Sequence, residues 1–532
     1  MKLVKILSDS VQIRTNLSEF KDIRINDLLT VSDGTASLVT MVTGLMDTDA
    51  EERIGEQDFL GEITGIKSID CSIIGSMKDG RFVKAIDTYP TTRVEISRIT
   101  SMEFSNMITP DASACFEIGK YAAYECPAYV NGNKFFQRHA CIVGNTGSGK
   151  SETVAKILEE TAKLPGANIV VFDIHGEYSK LSYASNVQIG QNFPFPIWLF
   201  GFNDIVTNIL KIREESATTV MTALRKAYYS VCPNGKENKP VYFDYKALIT
   251  ELEEMDSQIA WTGEFYKTGD KSGQPKTTKG EYNGKLTSTV NLLKDRMADS
   301  RYSFLFGDEK QPYLYEVVEA ILGTEKPIKN IDLSGVPHDV ALPIIGVLTR
   351  LIFAVQREQD MNHIRPVVVV CDEAHVYIPD NFQLSASQRR MVEVFEDIAK
   401  EGRKFGITLF PATQRPSELN KTIIAQCANI IVGKLNNEND KTLIKGMLPD
   451  GNEKIIDSVT MFNPGEVLIV GDAVPIPLKI KVKLARERPV SRTVDFWDVW
   501  RRDGFWDIME LVDKYLQIMQ PGKEVRADAD HI

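Results

Sequence analysis

Residues 139–156 read His-Ala-Cys-Ile-Val-Gly-Asn-Thr-Gly-Ser-Gly-Lys-Ser-Glu-Thr-Val-Ala-Lys. Ala140 to Val143 form an apolar run that reads as a buried strand. Gly144 to Ser151 then fits G-x-x-x-x-G-K-[ST] at every fixed position. Beyond it, Val154, Ile157, Leu158 and Ala162 share one helical face. Strand, glycine loop and helix together are the context in which this motif holds a nucleoside triphosphate. The backbone of Gly144, Asn145, Thr146, Gly147, Ser148 and Gly149 can turn its N–H groups onto phosphate oxygens. The helix opening at Lys150 adds the positive end of its dipole. Lys150 then reaches the β- and γ-phosphates, and the Ser151 hydroxyl holds Mg²⁺. Glu152, in the first helical turn, joins the same nucleotide-binding set. ATP and Mg²⁺ are the expected ligands, and the expected fold is an α/β P-loop core of the RecA-like kind.

A loop that holds a triphosphate needs acids to hydrolyse it. Pro366-Val-Val-Val-Val-Cys-Asp-Glu-Ala-His375 supplies them. Two adjacent acids at the end of a fully apolar strand are costly unless a cation and a water use them. Asp372 is the expected second Mg²⁺ residue. Glu373 is expected to position and polarise the attacking water. A further strand, Ile407 to Phe410, ends in Pro-Ala-Thr-Gln-Arg-Pro416, which places Gln414 as a γ-phosphate sensor. Arg403, in Lys400-Glu-Gly-Arg-Lys-Phe-Gly406, is the first candidate to stabilise transition-state charge from an adjacent subunit, with Arg415 second. A plain helix C-terminal charge is the competing reading of Arg403. Arg138, twelve residues before Lys150, is expected to reach a nucleotide from the strand edge. Asn168 to Phe172 is another strand, ending in Asp173-Ile-His-Gly-Glu-Tyr178. Asp173, His175 and Glu177 thus stand where ligands sit in an open α/β sheet, although Asp173 could instead cap the next turn.

The rest of the chain is arranged around these motifs. Residues 1–105 alternate in short apolar runs (Leu3–Leu7, Val11–Arg14, Ser37–Val42, Phe82–Ile86). Ser32-Asp33-Gly34 and Lys78-Asp79-Gly80 separate them, which predicts a small β-barrel. Residues 106–202 hold an irregular approach and the first part of the core, and 331–485 the second part. Residues 203–330 have helical periodicity over Asp204–Val231 and Leu286–Met297, which predicts a helical insertion. Within it, 267–285 carries five lysines with glycines and a proline, and reads as a mobile loop. Helices are expected near 339–357 and 386–401. Pro475 to Val482 is extended and expected to lie over a nucleotide base. Residues 486–532 form a tail with Phe496, Trp497, Trp500, Phe505 and Trp506 on amphipathic segments, suited to docking, and its last ten or so residues read as disordered.

With 62 Lys plus Arg against 73 Asp plus Glu, the formal net charge of −11 is unlike that of a DNA-coating protein. An acidic chain still binds nucleic acid where basic groups line an internal channel. The seven cysteines are scattered without zinc-like spacing, as in a reduced cytoplasmic protein. No signal peptide or membrane-spanning segment is read from the sequence. None of the six histidines forms a ligand cluster, so a peptidase or metal-enzyme reading has no support.

Taken in order, Arg138-His139, Gly144–Ser151, Asp173-Ile-His-Gly-Glu-Tyr178, Asp372-Glu-Ala-His375, Glu401-Gly-Arg-Lys-Phe-Gly406 and Ala412-Thr-Gln-Arg-Pro416 resemble the HerA branch of the HerA/FtsK ATPases over nearly the whole chain. That resemblance implies a hexameric ring that hydrolyses ATP between subunits and moves double-stranded DNA through its pore. It implies a partner nuclease such as NurA, or a sirtuin-like or nuclease effector in phage defence. It also makes Arg403 the arginine finger and Arg138 a second nucleotide contact. Where many relatives have proline after the first aspartate, this chain has Ile174. Asp372-Glu-Ala-His375 also spells the DEAH box of superfamily 2 helicases. Those acids follow the P-loop much more closely, and no second RecA-like domain follows residue 416. The alternative function is an ATP-regulated scaffold that assembles and activates an effector enzyme without processive movement on DNA.

Overall fold

The computed structural model describes residues 1–48, 66–91, 93–108, 111, 113–212, 218–235, 240–306, 313–380, 384–448, 453–490, 496–501 and 508–519. They fall into two compact units, Met1–Val490 and Ser491–Ile532.

The first unit opens with a curled antiparallel sheet of seven strands. These are β1 (Lys2–Ile6), β2 (Ser10–Thr15), β3 (Leu28–Ser32), β4 (Ser37–Thr48), β5 (Ile66–Lys78), β6 (Arg81–Val83) and β7 (Glu95–Arg98). Their order is β1-β2-β5-β4-β3-β7, with β6 on β5. Two register shifts in the long β4–β5 pair bend it, as bulges do. The β5–β6 turn is the expected hairpin: Asp79 and Gly80 both have positive φ, 50° and 74°, the demand of a two-residue type I′ loop. One face of the sheet buries its own cluster around Ile13, Val31 and Ile69. Leu28, Val39 and Met41 instead join the main core. Phe104 seals that junction, stacked on Tyr124 at 4.2 Å, while the Tyr124 hydroxyl accepts from the Leu28 N–H at 2.9 Å.

The second sheet has eleven strands. Segment 106–138, expected to be irregular, contributes β8 (Cys115–Tyr121) and β9 (Pro127–Asn131), then a short helix, Gly132–Gln137. β10 (Ala140–Val143), β11 (Ile169–Asp173) and β12 (Ala184–Gln188) follow. The insertion holds helices Thr218–Val231, Tyr245–Ser257, Thr287–Ala298 and Leu314–Leu322, and a hairpin of β13 (Ile259–Phe265) and β14 (Pro275–Lys279). The expected mobile loop is therefore partly strand: β14 pairs with β13, and every residue of both is exposed. The core resumes at β15 (Ile328–Asp332), then β16 (Val367–Cys371), β17 (Ile407–Thr413), β18 (Asn429–Val432), β19 (Glu466–Gly471) and β20 (Lys479–Val482). β15 begins slightly before the expected boundary, pairing with β11 from Ile328; Lys329 within it is buried and satisfies its ammonium on the Gly323 and Lys326 carbonyls.

The strand order is β12-β15-β11-β16-β17-β10-β18-β19-β20-β8-β9. From β12 to β18 all pairs are parallel. The inner strands β10, β11 and β16 read as near-continuous apolar runs, as strands covered on both faces do. Helices His338–Arg357 and Ala386–Glu401 pack against each other on the sheet, near the positions read from periodicity. His338–Arg357 is long and apolar enough to cross a membrane by length and composition alone, and 61% of its most apolar window is buried within the fold.

In the second unit, Phe496–Trp500 and Ile508–Met519 are helices. Phe496, Trp497 and Trp500 are exposed. Phe505, Trp506 and the expected disordered end lie outside the described residues.

Candidate nucleotide-hydrolysis site

β10 ends in the glycine loop, between β17 and β18 in the middle of the eleven-stranded sheet. All its strand residues are buried, which fixes where the loop begins. Two positions require glycine. Gly147 and Gly149 have φ of 76° and 93°. A Cβ on Gly149 would also stand 2.9 Å from the Gly465 N atom, whose N–H donates to the Ser148 carbonyl at 2.9 Å. Gly149 caps helix Lys150–Thr161 without a side-chain bond, so the first-turn N–H groups keep no side-chain acceptor from the cap.

Lys150 is buried and aimed at the two acids. Its Nζ donates to Asp372 Oδ1 at 2.7 Å and lies 3.0 Å from Glu373 Oε1. Burial alone would lower the Lys150 pKa; the two carboxylates outweigh it and hold the pKa up. Burial would raise that of Glu373, but Lys150 and a bond from Gln414 outweigh it and hold the carboxyl below its ordinary range. Glu373 has φ of 47°, left-handed backbone in a non-glycine residue. Such strain gathers at working sites. Its Oε2 is buried and accepts no hydrogen bond, with His375 Nδ1 at 3.4 Å. His375 in turn faces the Thr413 hydroxyl at 3.1 Å.

Gln414 joins the two halves of the site. Its Nε2 donates to Glu373 Oε1 at 2.6 Å, and its Oε1 accepts from the Thr146 hydroxyl in the loop. The loop opens onto a cleft of about 530 Å³ lined by Asn145, Thr146, Gln414, Arg415, Lys434 and Pro464 among others. Lys434 was not singled out by the sequence; it lies just beyond the short strand β18. The Lys434 carbonyl accepts from the Asn145 N–H at 2.8 Å, which ties it to the loop. Arg415 is turned to Glu418 at 3.0 Å. Of the stretch Pro475 to Val482 expected near the base, Pro475 lines a cavity with Lys84 and Asp472, while at its other end the Val482 N–H donates to the carbonyl of Gly465, next to the loop, at 2.9 Å.

Asp173 ends β11 beside Asp372 but is turned inward. Its oxygens accept from the Glu177 and Tyr178 N–H groups at 3.0 and 2.9 Å. It caps the turn, and is fully buried; burial, with Asp372 nearby, pushes its pKa up to about 6. His175 is exposed. Glu177 Oε2 and Glu152 Oε2 are buried without partners. Burial raises the Glu152 pKa, against the opposing charge of Arg488.

Arg138 and Arg403 are not brought to this loop. Both precede a strand that runs toward it: Arg138 stands just before β10, Arg403 in the turn Gly402–Phe405 just before β17. They therefore lie at the opposite edge of the sheet from Lys150. Arg138 is exposed and pairs with Asp472 at 3.4 Å. Arg403 is exposed on its turn. The expectation that Arg138 reaches a nucleotide along its own strand fails, because the whole length of β10 separates them.

The residues fit a magnesium nucleotide. The loop geometry demands glycine where phosphate would sit, a buried ammonium points inward, and a strained glutamate keeps a buried oxygen unbonded. Among the described residues no three His, Cys, Asp or Glu side chains are grouped to hold a metal unaided. A cation here would need Ser151, Asp372 and oxygens of the nucleotide itself.

A family model described as "Helicase HerA, central domain" matches residues 116–352. The chain is 27% identical over 432 residues to the DNA double-strand break repair helicase HerA of Sulfurisphaera tokodaii, covering 78% of each chain. It is 24% identical over 516 residues to the probable DNA double-strand break repair helicase HerA of Methanocaldococcus jannaschii, covering 91% of this chain and 95% of that one. Among solved structures, VirB4 of Thermoanaerobacter pseudethanolicus superposes with a TM-score of 0.48 at 16% identity, over 71% of this chain and 98% of that one.

Proposed function

We infer that the chain belongs to the HerA branch of the HerA/FtsK P-loop ATPases, a reading supported by the match over residues 116–352 and by the HerA relatives, and that it is an ATP-hydrolysing translocase or helicase acting on double-stranded DNA. The observation that carries this reading is the buried Lys150 ammonium, 2.7 Å from Asp372 and 3.0 Å from Glu373. A buried cation shared by two acids at the mouth of a glycine loop is a phosphate-binding device closed on itself.

Each residue has a task in the reading. The loop from Gly144 to Gly149 holds phosphate oxygens on its N–H groups, with Glu152 in the helical turn behind it. Lys150 exchanges part of its hold on the acids for phosphate. Ser151 and Asp372 would hold Mg²⁺, which would neutralise charge on the phosphates. Glu373 takes a proton from the attacking water; its lowered pKa keeps it ionised for that purpose. Gln414 reports phosphate at the loop to Glu373 through its two amide atoms. Arg403 and Arg138, at the far edge of the sheet, serve the nucleotide of the next subunit in a ring, here a hexamer. Their fork geometry suits developing phosphate charge.

The ring works in the cytoplasm with a NurA-like nuclease, or with a sirtuin-like or nuclease effector, in DNA end processing or phage defence. A second reading is favoured by one observation. The exposed Phe496, Trp497 and Trp500 offer aromatic anchors to a partner, as an ATP-controlled scaffold would. ATP-dependent displacement of a third strand from duplex DNA, with and without the neighbouring gene product, separates the two. A ring that moves along no DNA yet activates its partner contradicts the motor.

A further inference from the structure

His139 follows Arg138 and is 4% exposed. Both its ring nitrogens are engaged. Nδ1 accepts from the Leu409 N–H at 3.0 Å, and Nε2 faces the Ala399 carbonyl at 3.0 Å. A carbonyl only accepts, so Nε2 carries the proton and the ring is neutral. Ala399 lies in the last turns of helix Ala386–Glu401 and Leu409 in β17. Between them the chain leaves the helix, turns through Gly402–Phe405 and enters the strand. Arg403 sits on that turn. One imidazole thus spans the open end of the loop that carries one arginine, and its own backbone carries the other.

The backbone around His139 is built to keep this placement. His139 has φ of 50°, a left-handed conformation that few non-glycine residues adopt. The Arg138 carbonyl accepts from the Ala428 N–H at 3.0 Å, and the Thr408 hydroxyl donates to the Phe136 carbonyl. The segment before β10 is therefore bonded on both sides of His139, to the residue just before β18 through Arg138 and to β17 through Phe136. An apolar side chain would fill the space but leave the Leu409 N–H and the Ala399 carbonyl without their partner, at a cost.

We propose that His139 is a positioning residue for ATP hydrolysis, holding Arg138 and Arg403 as one unit on the edge that faces the adjacent subunit's nucleotide. This rests on the reading of those arginines as acting between subunits. The imidazole touches no nucleotide. It fixes the backbone segments that carry the two arginines relative to each other, and displacement of about 1 Å in such a group lowers turnover by about 100-fold.

The test uses full-length chains. His139→Ala removes both bonds. His139→Asn tolerates the left-handed backbone and can keep an acceptor for Leu409 while losing Ala399, so it remains informative if the alanine variant does not fold. Both should bind ATP with wild-type affinity and lose turnover, the alanine variant by about 100-fold and asparagine by less. Each variant is then mixed with Lys150→Ala chains, and separately with Arg403→Ala chains. Mixing with Lys150→Ala should restore activity, because intact loops meet intact arginines at some interfaces. Mixing with Arg403→Ala should restore none, because no subunit presents an intact arginine edge. Turnover within twofold of wild type in a folded His139→Ala chain overturns the proposal, as does recovery with Arg403→Ala. The Arg403→Ala and Lys150→Ala mixture is the control. No recovery there sinks the shared-site reading itself; recovery there but not for folded His139 variants with Lys150→Ala sinks the role of His139 alone.

Discussion

Gln414 donates to Glu373 across 2.6 Å, and this bond ties the tip of β17 to the acid at the tip of β16. Because the other amide atom of Gln414 accepts from Thr146, a displacement in the glycine loop must move the glutamate. Gln414→Ala should therefore leave ATP binding intact and reduce turnover by about 100-fold. Steady-state hydrolysis beside a fluorescent-nucleotide titration measures both. Equal losses of binding and turnover would show that Gln414 only shapes the cleft.

Lys150→Ala should abolish ATP turnover and also destabilise the free protein. It strands the buried carboxylates of Asp372 and Glu373, 1% and 7% exposed, without their cation. Breaking a buried pair in this way costs on the order of 3–5 kcal/mol, less what protonation of one acid recovers. Chemical denaturation at neutral pH reads the change. Unaltered stability would mean that water already screens the cluster.

Gly149→Ala tests the loop geometry apart from its chemistry. The added methyl meets the Gly465 N atom at 2.9 Å on a backbone at φ 93°. A strained position of this kind costs about 1–3 kcal/mol. The variant should lose nucleotide affinity with every catalytic side chain still in place, as equilibrium binding would show. Wild-type affinity would mean that the loop rearranges when occupied.

Asp173 should give stability a pH dependence of its own. Its folded pKa of about 6 lies above the ordinary 3.8, so the fold disfavours the ionised form. Its contribution is most favourable below pH 4, declines as pH rises from 4 to 6, and is flat beyond. The decline is on the order of 3 kcal/mol. Asp173→Asn removes it. The gap between the thermal midpoints of variant and wild type should then shift in favour of the variant from pH 4 to pH 7; a constant gap would contradict the buried placement.

What the sequence made legible follows from how local each signal is. The glycine loop, Asp372-Glu373 and Gln414 each sit at the end of an apolar strand, and parallel strands bring their ends to one edge of the sheet. Hence a one-dimensional pattern placed them together. Arg138 misled because twelve residues look short, yet a strand travels away from its own start. Asp173 misled because the end of a strand serves turn capping as readily as ligand binding. Lys434 carried no local signal at all; only the β10–β18 pairing brings it to the loop. The hairpin Ile259–Lys279 was hidden by its lysines and glycines, although Ile259, Trp261 and Phe265 alternate as a strand does. His139 was visible only as one half of a dipeptide, since its two bonds reach into segments far along the chain.

Duplex DNA carrying a third strand reports movement directly. The purified ring, given ATP and Mg²⁺, should displace that strand, and the Glu373→Gln ring should bind ATP and the duplex but displace nothing. Displacement by Glu373→Gln at the wild-type rate, or a wild-type ring that hydrolyses ATP yet displaces no strand with or without its partner, would contradict a motor driven from this site.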